Sequence, residues 1–229
     1  MSYRAPVIGR RRPPPDLPRL YTRPGAPAVT LVIALAVVPE LLLSLADAGY
    51  LGAPGWRESA YRLGAFWAGL LHGSEPVYPG QAAVMFASHA FLHDGALHLL
   101  GNMAAVMALG GIAVARTGQR GFLVLYVVAM LGGATGAALL APADAAPMVG
   151  ASGAVFGLVG AWKFWEWEAR RIFRARMAPL WWSLAAIGLI NLLLWLALSG
   201  LLAWEAHLGG MIAGAGWAAL FTRTHRAAW

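Results

Sequence analysis

Gly150-Ala-Ser-Gly-Ala-Val-Phe-Gly-Leu-Val-Gly-Ala161 is the stretch on which the reading of the chain turns. It opens an apolar run from Val149 to about Trp165, long and uncharged enough to enter hydrocarbon as a helix. Ser152 stands at the helix start between Gly150 and Gly153. Glycines there let a second backbone or a substrate come close. The first turn of a helix also offers unpaired N–H groups and a positive partial charge where an oxyanion can rest. A serine in a membrane helix is more often structural, bonding a carbonyl one turn back, so the neighbours must decide.

The whole chain agrees with a membrane setting. Of 229 residues, 59% are hydrophobic and 12% charged, about half the charged share of a soluble domain. There is no cysteine, so disulfides and thiolate metal sites are excluded. Six apolar spans can be drawn: Ala28–Ala46, Phe91–Ala115, Leu123–Leu140, Val149–Trp165, Leu180–Ser199 and Leu202–Phe221. The predicted fold is an all-α membrane protein, a six-helix bundle over 28–222. A flexible basic cytoplasmic tail (1–27) precedes it and a short cytoplasmic C-terminus (223–229) follows. In the long connection 47–90, Trp56, Ala60, Leu63, Trp67 and Leu71 recur at three- and four-residue steps, which predicts an interfacial helix. Glu40, inside the first span, must lie near its outer end or face protein.

Charge placement tests this topology. With the N-terminus inside, the cytoplasmic segments are 1–27, 116–122, 163–178 and 222–229. They hold 15 of the 17 Lys and Arg residues; Arg57 and Arg62 are the exceptions. That is the positive-inside pattern. It accounts for the net charge of +7 without nucleic acid, and the predicted partners are the lipid bilayer and other membrane segments.

Spans two, four and six all enter from the outside, so His98, Asn102, Ser152 and His207 share one outer layer. His98 and Asn102, four apart, face the same way. Polar groups at such depth turn toward the bundle interior. Gly153 with Gly157, and Gly210 with Gly214, form small-residue ridges that let spans four and six approach closely. That contact would bring Ser152 within reach of His207. An imidazole bonded to a serine hydroxyl can take its proton and return it to a leaving amine. No carboxylate completes a triad: Glu205 points about 200° around the helix from His207, and Asp144 is in a loop. The reading is a Ser152–His207 dyad, with His98, Asn102 and the Ser152 backbone N–H as oxyanion donors.

These residues resemble the rhomboid family of intramembrane serine proteases. Ser152 lies in a G-x-S-G at the fourth span. Ala206-His-Leu-Gly-Gly-Met-Ile-Ala-Gly214 resembles the family's A-H-x-x-G-x-x-x-G. His89, His93, His98 and Asn102 resemble its histidine-rich second-helix signature, whose last His and Asn are linked to the oxyanion. The resemblance implies an endopeptidase that cleaves single-pass transmembrane segments of membrane-protein substrates near their outer ends, and the short basic tail without an added soluble domain suggests a bacterial inner membrane. It also implies access past a mobile fifth helix and an overlying loop. Where many members carry Trp-Arg in the first loop, this chain has Val84-Met85. His89 and His93 are expected to tie that loop to the top of the second helix. No metal or cofactor is required. The competing reading is a catalytically silent rhomboid-like protein that binds transmembrane clients; retention of both Ser152 and His207 weighs against it. A transporter would carry polar groups through the full depth of several helices, and the inner halves of spans two, four and six are mostly Ala, Val, Leu and Gly.

Overall fold

The computed structural model describes residues 26–52 and 54–225. The tail expected over 1–27 lies almost wholly outside these residues, as do the last four. Seven α-helices carry the described chain: α1 (Pro27–Asp47), α2 (Trp56–Gly64), α3 (Gln81–Ser88), α4 (Gly95–Leu140), α5 (Ser152–Ile172), α6 (Ala178–Ala197) and α7 (Trp204–His225). Short 3-10 turns cover Ala68–Leu71 and His89–Phe91. Among the described residues the one β-type pairing is an isolated antiparallel bridge between Phe66 and Met148.

Among the described residues three helices are long and apolar enough to cross a membrane: α1, α6 and the 46-residue α4. The sequence predicts a loop at 116–122 that divides α4 into two spans. Instead, two helical arms meet at a single non-helical residue, Gly118 (φ 72°, ψ 175°). Glycine accepts that conformation without a Cβ clash. Arg116, Gln119 and Arg120, read as loop residues, are good helix formers and stay helical on either side. Gln119 also has a capping role: its Oε1 accepts from the backbone N–H of Ala28 at 3.0 Å, satisfying a first-turn donor of α1.

Other boundaries shift as well. The second span was expected from Phe91, but the helix starts at Gly95, after the turn at His89–Phe91. The expected 166–178 connection shrinks to residues 173–177, since α5 runs on to Ile172. Its C-terminal end remains helical because its charges are paired. Lys163 Nζ lies 2.9 Å from Glu166 Oε2, and Arg170 Nη2 lies 2.7 Å from Glu166 Oε1. Residues 223–225, expected beyond the bundle, continue α7. The periodic face from Trp56 to Leu71 is not one helix. It breaks after Gly64, where Ala65 turns extended, and Trp67 folds back to donate from Nε1 to the Tyr61 carbonyl at 3.2 Å.

The centre of the bundle is where α4, α5 and α7 cross, each presenting glycines. A Cβ on Gly210 would strike the carbonyl of Gly153, and one on Gly214 the carbonyl of Gly157. The second arm of α4 joins through Gly133, whose added Cβ would sit 3.1 Å from the Gly153 Cα, and Gly136, which faces Gly209. These backbones are too close for any side chain to separate them. Gly214→Ala is therefore expected to destabilise the protein by about 1–3 kcal/mol, the range for overpacking. Gly216→Ala, in the same helix with nothing within 4 Å, should be neutral or slightly stabilising. Thermal unfolding in detergent checks the pair, and equal melting shifts would refute the close crossing.

By contrast α6 is barely packed. Leu180, at its start, is its one buried residue. Trp181 and Trp182 are 59% and 75% exposed.

Candidate active site

Ser152 is the first residue of α5, so intrahelical bonding leaves its backbone N–H without a partner one turn back. The turn before it is shaped by Gly150, at φ 116°. That conformation is open to glycine, and the missing Cβ is also needed for space. A Cβ there would lie 2.8 Å from His98 Nε2 and 3.7 Å from Asn102 Nδ2. The two side chains of α4 thus lie against Gly150, His98 the closer of the two.

His207, in the first turn of α7, is 5% exposed. The glycine crossing sets the approach of α7 to α5, and the consequence is a direct contact: His207 Nε2 lies 2.9 Å from Ser152 Oγ. The imidazole is held from two further directions. Phe156, one turn along α5 from Ser152, stacks on it with centroids 4.1 Å apart and planes 6° from parallel. On the far side Nδ1 meets Asn191 Oδ1 of α6 at 2.5 Å. Neither Phe156 nor Asn191 was singled out from sequence. Asn191 did carry a signal: apart from Ser183 it is the one polar side chain within α6, and a lone amide in an apolar span faces a partner.

His98 and Asn102 are held by hydrogen bonds of their own. The Asp94 backbone N–H approaches His98 Nδ1 at 3.4 Å. When Nδ1 accepts, the ring proton sits on Nε2, the nitrogen that faces Gly150. Asn102 Nδ2 gives one proton to the His98 carbonyl at 3.1 Å and keeps a second. The structure therefore joins Ser152 to His207 at the head of α5 and places His98 and Asn102 against Gly150, two residues before the serine.

His89 and His93 tie the loop mainly to the serine turn, not only to the top of the second span. The His89 carbonyl accepts from the Gly150 N–H at 2.9 Å, and its Nδ1–H donates to the Met85 carbonyl at 2.8 Å. His93 Nε2 faces the Ala151 N–H at 3.4 Å. Phe66 and Met148 exchange both backbone bonds at 2.9 Å, adding a second stitch. At the Val84-Met85 position, Met85 is fully buried while Val84 is half exposed. Among the described residues no three His, Cys, Asp or Glu side chains are grouped to hold a metal.

His89 lies in the connection before α4, and burial pushes its pKa down from 6.5 to about 4, with the Met85 carbonyl opposing part of the shift. A depressed histidine pKa means that the unfolded chain binds the proton first. The stability it leaves intact above pH 6.5 is lost as pH falls toward 4. The melting temperature should drop over that window, and His89→Asn should flatten the slope. An unchanged slope would remove His89 as the source.

The fold and site together define a helical membrane protein with a buried histidine bonded to a part-buried serine at a helix crossing. A family model described as the Rhomboid domain matches residues 80–224, and the chain belongs to the rhomboid family. It is 31% identical over 123 residues, 54% of its length, to Rhomboid protease GluP of Bacillus subtilis (strain 168). It is 41% identical over 71 residues, 31% of its length, to RHOMBOID-like protein 5 of Arabidopsis thaliana. The matched part is 23% of each relative.

Proposed function

We propose that the chain is an intramembrane serine endopeptidase that cuts transmembrane helices near the outer membrane face. The observation that carries this reading is the 2.9 Å contact from Ser152 Oγ to His207 Nε2 at the glycine crossing. In this mechanism His207 takes the Ser152 proton as Oγ attacks a substrate carbonyl. The tetrahedral oxyanion is held by the Ser152 N–H, the free Asn102 Nδ2 proton and His98 Nε2–H. His207 then protonates the leaving amine, and water releases the acyl group by the reverse sequence. Both arms of α4, together with α1, α5, α6 and α7, are taken as six passes with both termini cytoplasmic, as in a bacterial inner membrane. That puts Ser152 within reach of outside water. Substrates would be helices rich in Gly, Ala or Ser near that face, where local unwinding costs least.

The test is a single-pass reporter reconstituted in liposomes with the full chain. Cleavage by wild type and none by Ser152→Ala supports the reading. Capture of the intact reporter by a folded wild type that never cuts it would favour the client-binding alternative.

A further inference from the structure

Asn191 sits on a helix with one buried residue, yet its amide meets the His207 nitrogen that faces away from Ser152. Its Oδ1 faces Nδ1 at 2.5 Å, while Nε2 faces Ser152 Oγ at 2.9 Å. A carbonyl oxygen only accepts, so the bond requires a proton on Nδ1. A neutral imidazole then has its lone pair on Nε2, aimed at the serine hydroxyl. The other tautomer would put N–H against Oγ and leave the ring unable to take the serine proton.

Resting on the protease reading above, we infer that Asn191 is a positioning residue that fixes the Nδ1–H tautomer of His207. It would thereby make the base competent only while α6 lies against the bundle. Two observations support the conditional part. The contact comes from a helix with one buried residue, Leu180, eleven positions from Asn191. Phe156 stacks on the ring face and restricts its tilt, but stacking does not distinguish one nitrogen from the other. The tautomer is therefore left to Asn191. An interhelical hydrogen bond in a membrane is weak, so displacement of α6 would release it readily. Proton transfer is confined to one line: Oγ loses its proton to Nε2, Nδ1 keeps its own, and the Asn191 amide stays neutral.

The experiment uses the full chain in detergent with 15N-labelled histidine. The His207 signals are assigned by their loss in His207→Gln. Nδ1 protonated and Nε2 unprotonated is expected in wild type. The Nε2–H tautomer in wild type would overturn the inference without reference to activity. A small alkyl fluorophosphonate supplies the second readout. Asn191→Leu is expected to label about 10- to 100-fold more slowly, part of what general-base catalysis contributes, with a melting temperature near that of wild type. Asn191→Asp, which restores an acceptor, should recover labelling. Asn191→Leu labelling at the wild-type rate would overturn the inference. A wild type that does not label at all would instead overturn the protease reading, and the tautomer signals would still decide the role of Asn191.

Discussion

Ser152→Ala is expected to reduce reporter cleavage by about ten-thousandfold or more, and His207→Ala by a similar factor. The double variant should be hardly worse than either, because a nucleophile and its base act as one unit. The geometry gives the reason. His207 is buried with its Nε2 directed at one hydroxyl, so losing either side leaves the other with nothing to do. Any residual rate would come from the donors at the head of α5, which still bind an oxyanion when a water attacks. Initial rates in liposomes at matched protein density are the measurement. Multiplicative losses in the double variant would mean that the two side chains act in separate steps.

The second large effect is on stability. Glu40 is 2% exposed inside α1. Arg57 of α2 meets it with both terminal nitrogens, Nη1 to Oε2 at 2.9 Å and Nη2 to Oε1 at 2.8 Å. The same guanidinium reaches Asp47 through Nε at 2.6 Å and the His93 carbonyl through Nη1 at 2.8 Å. Removing the cation leaves a carboxylate buried without its counter-ion. Arg57→Met is expected to cost about 3–5 kcal/mol. Combining it with Glu40→Leu should regain most of that loss, since an apolar pair of similar size removes the stranded charge. Unfolding by an SDS titration in mixed micelles reads both. Cleavage should fall with Arg57→Met as well, because the His93 carbonyl is anchored by this arginine and the His93 ring supports Ala151.

The same network marks how far the sequence could be read. Helical content and the juxtaposition of spans four and six followed from apolar runs and glycine spacing, because both are local patterns with a fixed period. Gly153 opposite Gly210 and Gly157 opposite Gly214 is the arrangement those ridges predict. Long-range pairing has no period. Glu40 was legible as a cost needing a partner, and Arg57 as an exception to the charge pattern, but nothing local joined residues 17 apart on different helices. The hinge at Gly118 was hidden because a polar run of six residues reads as a loop when its helix propensity is outweighed by its hydrophilicity. Asn191 was hidden for a related reason. A two-residue dyad can be written from the sequence without it, and its bond to His207 depends on how a loosely held helix is placed.

The most direct measurement is labelling of purified full-length protein with a fluorophosphonate, followed by mapping of the modified peptide by mass spectrometry. The account predicts a single adduct on Ser152 in wild type, absent in Ser152→Ala and lost or strongly slowed in His207→Ala. An adduct on another residue, or equal labelling of Ser152 without the His207 imidazole, would contradict it.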